Sequence, residues 1–160
     1  MALPKILESQ TKIRFQDCDP FNHLNNGKYT DYFMNHRGDQ LLSQYELDIY
    51  TLAQTEGLSW VASANQIAYL KPALLMETVN IESQLIFYDT SKLRVEMRMY
   101  NENKSQLKAI IWTSFVYFNL QTKKRENHPI DKMNLFKQII NPIDATIFED
   151  RVLQFRCKKY

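Results

Sequence analysis

The chain has 160 residues, 44% hydrophobic and 24% charged. At about 150 residues per domain this is one domain, long enough to bury roughly 70% of the surface its unfolded chain exposes, and its composition excludes wholesale disorder. Twenty Lys+Arg against 18 Asp+Glu leave a formal charge of +2. That field is too weak to call for nucleic acid or an anionic membrane, and no apolar run approaches the ~18 residues of a membrane span.

Residues Thr11–Asp17 alternate, with Ile13 and Phe15 on one side and Lys12, Arg14 and Gln16 on the other, which predicts a half-buried strand. The stretch from Asp17 to Gly27 is rich in turn and cap formers. A helix follows, capped by Asn25 or Asn26, with Asp31 in its first turns and an apolar face of Tyr29, Tyr32, Phe33, His36, Leu41, Leu42 and Tyr45. It ends or bends between Gly38 and Glu46. Residues Leu47–Gly57 are ambiguous, a short second helix closed by Gly57 being one reading.

From Leu58 the pattern is β. Leu58–Leu70 reads as a strand stopped by Lys71-Pro72. Val79, Ile81, Ser83, Leu85 and Phe87 alternate, as do Leu93, Val95, Met97 and Met99 beyond a turn at Asp89-Thr90-Ser91, which makes a hairpin. Leu107–Leu120 is apolar on both faces, as expected of a central strand. Asp131 then caps a helix burying Met133, Phe136, Ile139 and Ile140 and stopped by Pro142. Phe148, Val152 and Phe155 mark an extra C-terminal helix. One long helix against a five-stranded antiparallel sheet is α+β. Because one helix covers only one face of such a sheet, the second apolar face of Leu107–Leu120 predicts burial by another subunit.

Three glycines stand where an average chain of this length carries roughly eleven. No GxGxxG, GxxxxGK(S/T) or GxSxG occurs, which removes Rossmann, P-loop and α/β-hydrolase readings. The two cysteines, Cys18 and Cys157, form no CxxC. The start MALPKILESQTK has neither an apolar core nor a small-residue cleavage site. A reducing, cytoplasmic setting is expected.

The chemistry concentrates in Asp17–Tyr29, where four readings compete. A calcium loop starting at Asp17 puts Phe21, Asn22 and Lys28 where an oxygen ligand, a glycine and a bidentate Glu are needed. A Cys18 nucleophile has Asp17 and Asp19 beside it, which raise a thiol pKa rather than lower it. A plain turn and cap uses Asp, Pro and Asn in this way, and on the residues alone it is favoured, with His23 a hydrogen-bonded structural histidine. The fourth reading is a carboxylate beside a helix N-terminus, whose unpaired amides polarise an acyl carbonyl while the carboxylate attacks it or activates water.

The run Phe15-Gln16-Asp17-Cys18-Asp19-Pro20-Phe21-Asn22-His23-Leu24-Asn25-Asn26-Gly27-Lys28-Tyr29 resembles the signature of hotdog-fold thioesterases of the 4-hydroxybenzoyl-CoA thioesterase type. That pattern is roughly D-x-D-x-x-G-H-x-N-N-x-x-Y, entering a long helix. Tyr69-Leu70-Lys71-Pro72-Ala73 looks like the family's second-strand ending, and the order strand, helix, four strands also matches. The resemblance covers about residues 10–140 of a single domain spanning 1–160, with 143–160 a C-terminal extension. The His-x-Asn-Asn stretch also resembles plant-type acyl-carrier-protein thioesterases, which carry two hotdog repeats where this chain has room for one.

The resemblance implies a hotdog domain, a long central helix wrapped by a five-stranded antiparallel sheet, that hydrolyses acyl-CoA or acyl-carrier-protein thioesters. Asp19 takes the catalytic carboxylate position and the backbone N–H of Asn26 the oxyanion donor. His23 orients the carboxylate, a water or the loop. Tyr29 and Phe33 lie near the acyl group, while Ser91 and Lys92, between the third and fourth strands, are candidates for CoA contacts. Asn22 departs from the family's Gly, a change that suits a left-handed turn, since Asn tolerates that backbone better than most residues. No metal or redox cofactor is expected, CoA being part of the substrate. The expected partners are acyl-CoA and further copies of the chain, as a homodimer or a dimer of dimers, without nucleic acid or membrane. The alternative is a non-catalytic hotdog protein that binds an acyl group or a partner.

Overall fold

The computed structural model describes residues 2–158. Six strands and four helices follow in the order β1 (Ile6–Lys12), α1 (Tyr29–Tyr45), α2 (Ile49–Glu56), β2 (Leu58–Tyr69), β3 (Thr78–Tyr88), β4 (Lys92–Asn101), β5 (Leu107–Asn119), β6 (Lys124–Arg125), α3 (Ile130–Ile139) and α4 (Phe148–Arg156). The strands form one antiparallel sheet in the order β1-β3-β4-β5-β2, with the two-residue β6 pairing only β5. The α1 helix lies across one face and buries Tyr29, Tyr32 and Phe33 in a core with Ile81, Val95, Met97, Met99 and Ile111. Among the described residues no helix is long and apolar enough to cross a membrane.

The first strand lies earlier in the sequence than the alternation predicts. Pairing with β3 ends at Lys12, and Phe15–Asp17 form a 3₁₀ turn closed by Asp17 N–H to Arg14 O and Cys18 N–H to Phe15 O, both 3.1 Å. The turn rotates Phe15 out to 78% exposure, while Ile13 stays in the core. The ambiguous segment is helix α2, capped by the Asp48 carboxylate and closed by Gly57 at φ +67°. In α3, Pro129 rather than Asp131 occupies the N-cap, and Asp131 sits in the first turn. The Asp131 carboxylate instead pairs with Lys132, 3.0 Å away.

The second apolar face of β5 is covered from within the chain. Helix α4 lays Phe148, Val152 and Phe155 on Ile110, Trp112, Leu107, Ile86 and Tyr100, with Phe148 edge-on to Trp112 at 5.4 Å. The expectation that another subunit buries this face is corrected for those positions. Sequence periodicity identified the helix and the face separately but not their contact.

This second layer is held by charge as well as packing. Glu96, on β4, is wholly buried. It accepts from Arg98 Nη1, from Arg151 Nε and Nη2 at 2.8 and 2.7 Å, and from Trp112 Nε1 at 2.8 Å. Arg98 also binds Glu82 at 2.9 Å. Burial pushes the Glu96 carboxyl up, but the Arg151 bonds and the Arg98 and Arg151 charges outweigh it, and the net shift is down.

Breaking one partner of such a buried cluster costs about 3–5 kcal/mol, so Glu96→Ala should lose stability of that order in urea unfolding. A depressed carboxyl contributes stability that is present above its unfolded pKa and lost as pH falls through the folded value. The wild-type unfolding free energy should therefore fall on acidification below about pH 4, and Glu96→Gln should flatten that limb. An unchanged acid limb would show that Glu96 is not its source.

Candidate active site

Residues 17–25 form a loop strapped to the segment after β2. Leu24 N–H donates to Ala73 O at 2.8 Å and Leu75 N–H to Asn22 O at 2.9 Å, while buried Leu24 anchors the loop in the core. Isolated bridges join Cys18 to Leu24 and His23 to Leu74. The tip is closed by Asp19. Its N–H donates to His23 O at 2.8 Å, and its Oδ1 accepts from the Phe21 and His23 amides at 2.9 and 3.1 Å. Asn22 sits at φ +62°, the left-handed backbone that the family's Gly favours. The loop keeps its turn because Asn is among the side chains that tolerate it.

The helix start is built in two steps. The Asn25 side chain accepts from Gly27 N–H at 3.0 Å and caps a 3₁₀ turn, Asn26–Lys28, that runs directly into α1. Asn25 is therefore the capping residue of the two candidates. The Asn26 N–H opens that turn, one of the donors a helical turn cannot satisfy within itself. Tyr69, at the end of β2, donates from Oη to Asn26 O at 3.1 Å, and its ring meets Tyr29 edge-on at 5.1 Å and 68°. Tyr29 Oη accepts from Ala73 N–H at 3.1 Å. Burial foremost pushes the Tyr29 phenol up.

Asp19, His23, Asn26 and Tyr29 thus line one groove, together with Tyr69 and Lys71. With Oδ1 held by two amides, Asp19 has Oδ2 without a protein partner among the described residues. A half-buried carboxylate with one free oxygen and a helix-start amide on the same groove can serve attack on, or hydration of, a polarised acyl carbon.

The other residues singled out by sequence lie elsewhere. Phe33 is one helical turn beyond Tyr29 and fully enclosed in the core, so it does not line the groove. Ser91 and Lys92 sit in the β3–β4 turn, where Lys92 is opposite Val116 and Val116 opposite Val61. That is the Leu58 end of β2, whereas the groove is at the Tyr69 end. Asp17 faces another way: its Oδ2 accepts from Tyr32 Oη at 2.6 Å, and that oxygen accepts from Arg14 N–H at 3.0 Å. Burial, then the Asp17 bond, pushes the Tyr32 phenol up to about 12. The Cys18 thiol is pushed up by burial and by Asp19 and Asp17, which disfavours the thiolate that a nucleophile needs.

Tyr69 and Lys71 were not predicted as lining residues. Tyr69 meets Asn26 across 43 positions of sequence, and a strand-ending Tyr-Leu-Lys-Pro carries no local sign of that pairing.

The loop geometry makes a prediction at Asn22. Asn22→Gly should be tolerated, whereas Asn22→Val, forced into the left-handed region, should cost about 1–2 kcal/mol in thermal or urea unfolding. Equal stabilities would mean that the turn has relaxed to another backbone conformation.

Comparison with known proteins agrees with this architecture. Over 118 residues, 74% of this chain and 87% of the relative, the sequence is 25% identical to the long-chain acyl-CoA thioesterase FadM of Escherichia coli. The fold matches YbaW, a probable thioesterase from Escherichia coli, with a TM-score of 0.71 at 23% identity, covering 84% of this chain and 99% of that one. It also matches Slr0204, a 1,4-dihydroxy-2-naphthoyl-CoA thioesterase from Synechocystis, with a TM-score of 0.75 at 12% identity, covering 86% and 99%. SAV2348 from Staphylococcus aureus, solved in complex with CoA, matches with a TM-score of 0.76 at 14% identity, covering 92% of each chain. The family model of the thioesterase-like superfamily spans residues 13–140, from just after β1 through α3, so strands β2–β6, the long helix and the loop that leads into it lie within one match, and the chain belongs to the thioesterase-like superfamily as a thioester hydrolase of that family.

Proposed function

We propose that the protein hydrolyses acyl-CoA thioesters, with Asp19 as the catalytic carboxylate and the Asn26 N–H as the oxyanion donor. The observation that carries the reading is the shared groove of Asp19, Asn26 and Tyr29, in which two loop amides fix Asp19 by one oxygen and leave the other free. The thioester carbonyl oxygen accepts from the Asn26 amide, and Asp19 attacks the carbon directly or deprotonates a water that does. His23, in the same turn, orients the carboxylate or that water. The C–S bond breaks and CoA leaves as the thiol, taking up the proton that water supplies; on the direct route water then hydrolyses the acyl–Asp19 anhydride, and either way the free acid is released and Asp19 restored. A thioester is activated enough that this scheme invokes no metal or redox cofactor. A FadM-like relative acting on long-chain acyl-CoA favours the CoA carrier, with acyl-carrier-protein thioesters as the second substrate class to test.

We also propose that the working unit is a homodimer, or a dimer of dimers, joined at β2. Residues 61–66 of this strand are exposed on both faces, and among the described residues β5 is the only strand paired with it. A long unpaired edge of this kind invites pairing with another chain. Antiparallel pairing of two β2 edges sets the Tyr69 end of one beside the Leu58 end of the other. The partner's Ser91 and Lys92 then approach the groove from which this chain's own copies are remote, and that is where they would meet CoA.

A thiol-release assay over short, medium, long and aryl-CoA esters should find turnover. Asp19→Asn keeps an acceptor for the Phe21 and His23 amides and should lower kcat by about 10²-fold or more, while Asp17→Asn should do much less. Asn25 has the extended backbone that a following proline requires, φ −60° and ψ 133°, and Asn26 heads its turn, so Asn26→Pro should fold. It should lose about 10²–10³ in rate, whereas Asn26→Ala keeps the N–H and should turn over nearly normally. Equal losses from Asp17 and Asp19, or a folded proline variant as active as the alanine variant, would overturn these roles.

Light scattering at micromolar concentration should report a dimer or tetramer. A charged substitution in the exposed edge, Ala64→Lys, should shift it towards monomer. A monomeric wild type would remove the β2 pairing and with it the assignment of Ser91 and Lys92.

A further inference from the structure

A second, separate cavity lies under the C-terminal half of α1. Its volume is about 150 Å³. The walls come from α1, α2, α3 and the sheet, chiefly Met34, Leu41, Leu85, Val95, Phe115 and Phe136. It shares no lining residue with the Asp19 groove. Tyr29, Phe33 and Arg37 succeed one another on α1 at one-turn spacing: Tyr29 faces the groove, Arg37 the cavity, and the enclosed Phe33 stands between them.

Arg37 is the anomaly of this cavity. Its side chain is buried, with 7% of the residue exposed, in a wall that is otherwise mainly apolar. Of its five N–H donors, Nη1 donates to Ser83 Oγ at 2.9 Å, and among the described residues that is its only acceptor in the protein. No Asp or Glu lines the cavity, and among the described residues none pairs with Arg37. The chain treats its other well-buried guanidinium differently, since Arg98 meets two carboxylates. Burial without a counter-charge pushes the Arg37 guanidinium down to about 10, so it remains a cation at neutral pH. A buried cation with spare donors is costly unless an anion joins it, and a guanidinium suits a carboxylate in particular, because its planar fork matches both oxygens.

We propose that this cavity is a binding site for a small apolar monocarboxylate, its hydrocarbon part in the apolar pocket and its carboxylate on Arg37. The size follows from the volume: an apolar cavity of about 150 Å³ accommodates a benzene ring, so the ligand is of benzoate size, an aryl or short branched acid rather than a long chain. The polar layer behind Arg37 is already satisfied without the ligand. Ser83 Oγ donates to Gln40 Oε1 at 2.6 Å, and Gln40 Nε2 donates to Ile81 O and Ser9 Oγ at 3.0 and 2.7 Å. The free donors of Arg37 are thus the ones left for an incoming anion.

The test is direct binding to the full chain by calorimetry, with benzoate as probe and benzyl alcohol as its neutral counterpart. Thermal unfolding in the presence of each gives a second readout. Wild type should bind benzoate about ten- to hundredfold more tightly than benzyl alcohol, the range of one or two charge-assisted hydrogen bonds, and benzoate should raise its Tm. Arg37→Met keeps an unbranched side chain, removes the charge and the donors, and leaves the Ser83–Gln40 bond intact, so it should fold, and it should lose the preference for benzoate. Val95→Phe fills the cavity while keeping the Arg37 side chain and should abolish binding of both. Asp19→Asn should leave benzoate binding unchanged, which separates this site from the groove and keeps the result independent of turnover. Equal affinity for the two probes, no binding of either, or benzoate binding that survives both Arg37→Met and Val95→Phe would each overturn the proposal.

Discussion

Tyr29, Tyr32, Arg37 and Gln40 all lie on the buried side of α1, and each carries a polar group that is expensive to bury unless it is bonded. The sheet and the loop before the helix supply the partners: the Ala73 amide for Tyr29, Asp17 and the Arg14 amide for Tyr32, Ser83 for Arg37, and Ser9, Ile81 and Ser83 for Gln40. Apolar packing alone tolerates small shifts of a helix over a sheet. Hydrogen bonds of this kind do not, because a shift of one turn would leave several buried groups without partners. They fix where α1 begins, and the groove is built at that beginning.

The same constraint explains why two neighbouring aspartates have different surroundings. Asp17 accepts from Tyr32 and belongs to the apparatus that seats the helix. Asp19, two residues on, accepts from amides of its own turn. One oxygen of Asp19 is held and the other has no protein partner among the described residues, in a side chain that lines the groove. Tyr69 closes the arrangement from the sheet side by bonding the Asn26 carbonyl and packing on the Tyr29 ring. Strand end, loop and helix start therefore position one another, and none of the three makes a site alone.

On the opposite face the requirement is met differently. The sheet exposes Ile110 and Trp112 there, and α4 returns to cover them. The buried Glu96 beneath this layer is matched by two arginines, one on its own strand and one on α4, so the C-terminal helix is tied to the sheet by charge as well as by apolar area. The fold thus has two cores, one on each side of the sheet. This leaves the middle of β2 as the stretch of sheet still open on both faces and along one edge.

Much of this was legible in the sequence, for physical reasons. Period-2 alternation found β3 and β4 because one face of each is half-polar. The Gly57 helix end and the separate α4 helix are local properties of a few adjacent residues, so local chemistry pointed to them, whereas the turn at Asn22 was read only through the family's Gly at that position. The resemblance of Asp17–Tyr29 to a family motif placed the fold within the right superfamily, because that motif encodes a loop and helix entry that are themselves local. What the tertiary structure alone decided are contacts between distant segments. Phe15 reads as part of a strand until the 3₁₀ turn rotates it into solvent. The face of β5 reads as an interface until α4 lies on it. Tyr69 reads as the end of a strand until it meets Asn26, and nothing in the sequence around Arg37 marks it as a residue that the sheet encloses. Periodicity reports which side of an element is buried, but not what it is buried against, and the partner fixes the role of each of these residues.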